Sequence, residues 1–518
     1  MTEPRASARP DRRAPARPDR RASGHTTIWV ALAIALAALA VACGPQPVPI
    51  EPPNPAGLRT NLVVGGIELT WTATIDGQAH GYQLQSKTAT GPWLDVPTST
   101  NAATFTDVEP RATYLFRVRS RAAPGATPTE FSALVQAVYV EPTLPIVRIT
   151  TDGFAPVLNK DDYVHGAMTI DPNGSDVAAY SGTLGIKGRG NSTWGFPKKP
   201  YRLKLDTKSP IMGIASNKDW VLLANFLDKS QLRTWAASQI SEATDLDWTP
   251  QHRFVEVVLN GQYQGVYQLT EAIKPGSNRV DIEEMEPEDG AGVELTGGYL
   301  MELDARLEEN HEPGWRTTRQ VPVVVKEPDP MTPQQRSYIQ GFVQGFEDAL
   351  FSPGYRDPVT GYASRLDVDS FIDDWIVLEL TRNGDAYWSS TYFSKDRGDD
   401  RLVFGPVWDF DHSMGSTAST RQLPPEGWFA RDNSIWVRRL FSDPAFVQRA
   451  EDRWAAFAPA LSALPAQIEA LGESLRPAID NDAARWNYTL GPTDEPAFVS
   501  SWLSTRIDWI TGAFAAEG

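Results

Sequence analysis

Between Asn383 and Gly415 the chain reads NGDAYWSSTYFSKDRGDDRLVFGPVWDFDHSMG. Asp385 sits in a turn after Asn383, and Tyr392 and Phe393 open a short aromatic strand. The charged turn KDRGDD follows, and a second apolar strand, LVFGPVW, delivers Asp409 and Asp411. Two such strands around a polar turn predict a hairpin. One carboxylate then stands just before the hairpin and two at its far end, on the same edge. Carboxylates gathered beside aromatic walls suit a hard divalent cation and an acid/base group that orients a hydroxyl, as phosphoryl transfer requires. The plain alternative is a turn cap at Asp385 and solvated aspartates in a loop.

The elements that must position these groups lie upstream. SGTLGIKGRGNSTWGFPKKPYRLKLD, residues 181–206, reads as a strand ending at Lys187, a glycine-rich basic turn (Gly188, Gly190, Asn191) and a returning strand. Backbone amides in such turns cradle phosphate. Lys187, Arg189, Lys198, Lys199 and Lys204 add positive charge, against the plain alternative of a hairpin with a solvated basic face. In YRLKLD, Leu203 and Leu205 alternate with Arg202, Lys204 and Asp206, so Lys204 lies centrally on the polar face. A helix is expected from about Asp228, as N-cap, to Ala243, with Leu232, Trp235, Ala236 and Ile240 buried and Arg233 and Glu242 on the polar face. FVEVVLNGQYQGVYQLTEAI is a hairpin around Asn260–Gly261, with Glu256 and Glu271 on it or at its exit. GGYLMELD and VPVVVKEPD bring Glu302, Asp304 and Lys326. TPQQRSYIQGFVQGFEDALF, VDSFIDDWIVLELTRN, SIWVRRLF and the segment after Pro444 are helical by period, the last interrupted by Pro459 and Pro465.

Length and composition set the frame. A chain of 518 residues with 41% hydrophobic residues and 17 tryptophans supports two or three domains with a sizeable core. The net charge of −17 argues against a nucleic-acid partner, which needs a basic footprint. Residues 1–43 are a separate object: seven arginines lie within the first 26 residues, then TIWVALAIALAALAVAC, an apolar run of signal-peptide length. It ends at Cys43, the chain's one cysteine. AVAC-G resembles a bacterial lipobox, with Ala40 in place of the usual leucine, so a lipid anchor at Cys43 and an exported, envelope location are expected. Residues 44–56 form a proline-rich tether. Residues 57–140 show short strands separated by turn residues. Trp71 closing the second strand and Tyr114 opening TYLFRVRS resemble the core tryptophan and corner tyrosine of fibronectin type III domains.

After the hinge at residues 141–145, GRGNSTW, KKPYRLKLD, NFLDKSQLR, VEVVLNGQYQGVYQLTE, NGDAYWSSTYFSKD and GPVWDFDHSMG, in that order, resemble the CotH family of secreted atypical protein kinases. The likeness spans residues 145 to about 450, with 451–518 as a helical extension. It implies a multidomain α+β chain: an all-β fibronectin-like sandwich, then a two-lobed kinase-like domain. That domain would bind ATP with Mg²⁺ or Mn²⁺ and phosphorylate Ser/Thr hydroxyls of a surface or envelope protein. Carried over by position, Asp385 is the catalytic carboxylate, Asp409 is the metal-binding aspartate and Asp411 a second ligand or a supporting group, and Lys204, with Lys187 in reserve, grips phosphate beside Arg189. Glu256 is the lysine's anionic partner, with Glu242 competing.

There are departures. The HRD and DFG triplets and a GxGxxG loop are missing. Ser389, Ser390 and Thr391 stand where relatives carry asparagines, leaving a serine hydroxyl or Asn383 as the second metal ligand. The scattered histidines lack HExxH spacing, and there is no GxSxG elbow. A glycosidase using Asp385 and Asp409 is the rival enzyme class. A non-catalytic surface adhesin or coat protein on the same fold is the rival outside enzymes.

Overall fold

The computed structural model describes residues 55–73, 81–121, 129–417, 421 and 423–517; Cys43, the leader and most of the tether lie outside them. The first body is a β-sandwich. One sheet has the order β1–β2–β5 (Arg59–Val63, Gly66–Thr70, Ala102–Phe105), and the other β4–β3–β6–β7 (Leu94–Val96, Tyr82–Thr88, Thr113–Ser120, Val135–Val138). Strict alternation in β6 buries Tyr114, Phe116 and Val118 against Leu69 and Leu84. Trp71 is buried edge-on to Tyr82. The Tyr114 hydroxyl accepts from the Glu109 amide at 2.8 Å, the backbone tie expected of a corner tyrosine.

The second body is a closed seven-stranded barrel in the order β10–β11–β12–β14–β13–β8–β9. Its strands are β8 (Ile146–Thr151), β9 (Val164–Asp171), β10 (Tyr180–Gly188), β11 (Tyr201–Ile211), β12 (Ile214–Leu223), β13 (His252–Leu259) and β14 (Gln262–Glu271). Asn260–Gly261 closes the β13–β14 hairpin in register Leu259↔Gln262. The barrel interior is apolar: Val147, Met168, Leu184, Ile186, Leu203, Leu205, Trp220, Val257 and Leu269.

Between β12 and β13 lies α1 (Arg233–Glu242), shorter than expected. Asp228 is not its N-cap, which is Leu232. The aspartate instead organises the turn before it, accepting from the Ser230 and Arg233 amides at 3.2 and 2.9 Å. Arg233 is fully buried rather than on a polar face, because Asp228 meets its guanidinium at 2.6 Å.

The third body combines the sheet β16–β17–β15–β18–β19 with helices. Its strands are β15 (Tyr299–Leu303), β16 (Gly314–Arg316), β17 (Pro322–Glu327), β18 (Thr391–Lys395) and β19 (Val403–Phe404). The helices are α2 (Pro333–Phe351), α3 (Val368–Thr381), α4 (Ile435–Leu440), α5 (Pro444–Leu461), α6 (Leu464–Trp486) and α7 (Pro496–Glu517). Thr332 and Gln335 form a capping box at the start of α2. The second arm of the expected hairpin is only two residues long, and Gly405–Pro406 then leads an irregular run to Trp408.

The sandwich is docked on the barrel. Arg148 donates to the Leu62 carbonyl at 3.1 Å and Gln262 to Thr60 at 2.7 Å. At the centre is Glu256, fully buried. It accepts from the Thr143 and Leu144 amides (2.6 and 3.0 Å), the Tyr263 hydroxyl (2.5 Å) and Asn481 of α6 (3.3 Å). Removing it strands several buried donors. Glu256→Ala is therefore expected to lower unfolding free energy by about 3 kcal/mol, measured by denaturant titration, with Glu256→Gln recovering part of the loss.

Candidate functional site

A cavity of about 270 Å³ lies where the barrel meets the third body. From the barrel side it receives Arg189 and the turn Gly190–Thr193, from α1 Thr234, and from the third body Glu302, Asp304, Lys326, Asp385, Trp408, Asp409 and Asp411. Gly190 has φ 81, and a β-carbon there would collide with Thr193 Oγ1 at 2.1 Å. Glycine is thus required for the turn to reach the cavity.

The acidic wall is built by two strained segments. Arg382 caps α3 at φ 49, Tyr387, Ser390 and Asp409 follow at φ 56, 55 and 70, and Met414 stands at φ 43. Non-glycine residues in this region cost free energy and persist only where the surroundings hold them. Asn383 supplies part of that hold. Its Nδ2 donates to the Asp409 carbonyl at 3.0 Å, and its Oδ1 accepts from the Asp385 amide at 2.9 Å. Gly384 donates to the His412 carbonyl at 3.0 Å, and Met414 to Thr381 at 2.8 Å. Arg233 reaches across from α1 and donates to the Ser413 carbonyl at 3.0 Å.

The electrostatics follow from burial. Desolvation, then the charges of Asp409, Asp228 and Asp385, push the Asp411 carboxyl well above its usual range. Asp385 is raised by burial and by Asp409, against the opposing charges of Arg306 and His412. Arg189 is lowered by burial, while Asp409, Tyr392 and Glu302 favour its charge, and its guanidinium lies 5.4 Å from the Trp408 ring centroid. Lys326 Nζ pairs with Glu302 at 3.1 Å and Glu312 at 3.3 Å. Burial lowers this lysine's pKa, but the two glutamates outweigh it and the net shift is upward. Among the described residues no three His, Cys, Asp or Glu side chains are grouped to hold a metal ion.

At the back of the cavity stands Lys198, fully buried, its Nζ 2.7 Å from Asp482 of α6 and 2.5 Å from the Val266 carbonyl. Asp482 also accepts from the Val266 amide and the Tyr488 hydroxyl, at 2.8 and 2.7 Å. It fits only because residue 265 is glycine: a β-carbon there would lie 1.9 Å from Asp482 Oδ1.

Residues 186–510 match the CotH kinase protein family, well over half the chain. The chain belongs to the CotH kinase family. Residues 53–137 match the fibronectin type III domain, so the fold is a fibronectin type III sandwich followed by a mixed β/α CotH region with a helical end. The match runs into α7. No curated protein matches the chain. Among solved structures, an Fn3-like protein from Clostridium thermocellum is similar at 24% identity over 17% of this chain and 95% of that one, with a TM-score of 0.15. The fn3 domain of human contactin 1 is 14% identical over 18% of this chain and 80% of that one, with a TM-score of 0.16.

Within the CotH region, Asp385, Asp409, Asp411 and Arg189 share one cavity. Lys204, Lys187 and Glu256 do not line it. Lys204 is exposed on the outside of β11, because the alternation that buries Leu203 and Leu205 inside a closed barrel turns Lys204 to solvent. Lys187 also faces outward, 4.7 Å from the Tyr163 ring centroid. Glu256 serves the sandwich junction, and Glu242 is exposed at the end of α1. Lys326, Glu302 and Arg306, by contrast, line the cavity although their sequence context carried no assignment. The available signal was charge set into apolar strands, Glu302 in YLMELD and Lys326 in VPVVVKE, since a buried charge is seldom left unpaired.

Behind the acidic wall, Asp374 of α3 is buried with Oδ2 unpartnered, and the Tyr387 hydroxyl approaches it without a well-formed hydrogen bond. Desolvation pushes its carboxyl from 3.8 to about 8. The folded state therefore holds a proton that the unfolded chain releases near pH 4, and this contribution is lost as pH rises from about 4 to 8. Asp374→Asn carries no such proton. Its stability relative to the parent is expected to rise by on the order of 1 kcal/mol per pH unit over that window, read from denaturant midpoints at pH 5, 6 and 7.

Proposed function

We propose that this CotH-family chain is an ATP-dependent protein kinase acting on Ser/Thr hydroxyls of a surface or envelope protein. The observation that carries the reading is the convergence of Asp385, Asp409 and Asp411 with the cations Arg189 and Lys326 in one cavity. Kinase family membership implies ATP as the phosphate donor. Arg189 and Lys326 face its phosphates, Lys326 held in place by Glu302 and Glu312. This moves the phosphate-facing cation from Lys204 and Lys187 to a residue of β17. Gly190, Asn191 and Thr193 form the opposite wall.

A divalent cation fits the donor set. Asp409 and Asp411 lie in a pocket where burial, and then the neighbouring carboxylates, raise Asp411, and Mg²⁺ is commonly held by one or two carboxylates with the remaining positions filled by water and substrate phosphate. Bound there, Mg²⁺ or Mn²⁺ neutralises charge on the transferred phosphoryl group. Asn383, with both ends of its amide bonded to backbone, holds the segments carrying Asp385 and Asp409 in register. Asp385, raised by burial, accepts the proton of the attacking hydroxyl as the new O–P bond forms and the bond to the leaving diphosphate breaks. The same reading makes the protein an exported lipoprotein anchored through Cys43, which rests on its leader sequence.

The test uses residues 55–518, because cutting at residue 141 would remove the docked sandwich. Incorporation of labelled γ-phosphate with Mg²⁺ or Mn²⁺ is expected in the parent and to fall about 100-fold or more in Asp385→Asn and Asp409→Asn. Lys326→Met is expected to raise the KM for ATP. Label persisting in both aspartate variants would overturn the roles given to Asp385 and Asp409, and a parent that takes up no label and binds no ATP by calorimetry moves the reading to a non-catalytic adhesin. Metabolic labelling with a fatty-acid analogue is expected to mark the full chain and to be lost in Cys43→Ala.

A further inference from the structure

The outer face of the sheet β4–β3–β6–β7 carries a ladder that neither the cavity nor the docking of the sandwich uses. The Arg117 guanidinium lies 4.0 Å from the ring centroids of both Trp93 and Phe131, and that of Arg119 4.4 Å from Phe131. Lys87 Nζ is 5.4 Å from Trp93. The partners of the two arginines are neutral. Arg117 donates to Gln85 Oε1 at 3.0 and 2.7 Å, and Arg119 to Gln83 Oε1 at 2.7 Å.

Asp95, a carboxylate on the same face, accepts instead from the two glutamine amides, each at 2.9 Å. The glutamines thus stand between it and the guanidiniums. Among the described residues, no carboxylate lies within ion-pair distance of Lys87, Arg117 or Arg119, whereas the buried Arg233, Arg279 and Arg506 each meet one. Arg121, exposed, continues the row, and Glu130 is exposed beside Phe131.

In a chain of net charge −17, a face on which Lys87, Arg117, Arg119 and Arg121 outnumber the carboxylates Asp95 and Glu130 is a local reversal of sign. The stacking fixes the guanidiniums against the rings and leaves N–H edges for an incoming anion. Outward residues on one strand repeat at roughly 7 Å, so the donors form a row rather than a pocket. We propose that this face binds a linear acidic polysaccharide, with its carboxylates on Arg117 and Arg119 and sugar rings beside Trp93. A nucleic acid fits less well, because the guanidiniums already cover ring faces on which bases would stack, and the rest of the chain repels a long polyphosphate.

The test is binding of the full chain to polygalacturonate by affinity electrophoresis at low and moderate salt. Salt-sensitive binding is expected in the parent, weakened at least tenfold in Arg117→Gln/Arg119→Gln. Arg117→Lys/Arg119→Lys, which keeps the charge but loses the fork, is expected to fall between them, and its thermal unfolding serves as the folding control. Absence of parent binding, equal binding by the glutamine pair, or tighter binding to single-stranded DNA or phosphatidylglycerol vesicles than to polygalacturonate would each overturn the proposal. Phosphoryl transfer is not part of this readout, so it stands or falls apart from the kinase reading.

Discussion

The dominant constraint on this fold is the cost of holding like charges together out of water. Asp304, Asp385, Asp409, Asp411, Glu302 and Glu312 all border one cavity of about 270 Å³, and each raises the penalty on its neighbours. Three features of the architecture answer that cost. Arg189, Arg306 and Lys326 stand among the carboxylates, with Lys198 at the back. Backbone in the left-handed region, from Arg382 to Met414, aims the acidic side chains where relaxed strands would splay them. Buried polar ties, above all Asn383 and the Asp228–Arg233 pair, keep those segments from relaxing. Strain of this kind is retained where the surrounding structure over-determines it.

The ties extend beyond the cavity. Lys198 is pinned by Asp482, Asp482 is admitted by Gly265, and the next residue along α6, Asn481, donates to both Glu256 and the Glu141 carbonyl. One turn of a C-terminal helix therefore touches the back of the cavity, the barrel and the link to the sandwich. A sandwich docked in this way is part of the packed structure and not a bead on a string, and its junction buries a carboxylate that no loosely tethered domain would hold dry.

Much of this was legible from local chemistry. The Asn-Gly hairpin, the inward leucines of β11, the corner tyrosine and the two aspartate-bearing segments all follow from turn preference and two-residue alternation. What stayed hidden depends on partners distant in sequence. Arg233 has the look of a polar-face helix residue until Asp228 and the carbonyls of Ser413 and Met414 surround it. Glu256 has the look of a lysine's partner until Thr143, Tyr263 and Asn481 claim its oxygens. Periodicity tells which side of a strand is polar, but not whether that side faces a cleft or open solvent.

Barrel closure decides that last question. In an open sheet covering a cleft, a polar strand face can look onto bound phosphate, and Lys204 would be well placed. Here β9 pairs with β10 and shuts the sheet on itself, so the one enclosed side of every strand is filled with apolar side chains and the polar side is the exterior. A closed barrel can reach a neighbouring cavity only through its rim. That leaves the turn after β10, where Arg189 and Gly190 emerge, and it leaves a further cation to come from the facing sheet. Lys326 occupies that position at the end of β17, across the β15–β17 ladder from Glu302.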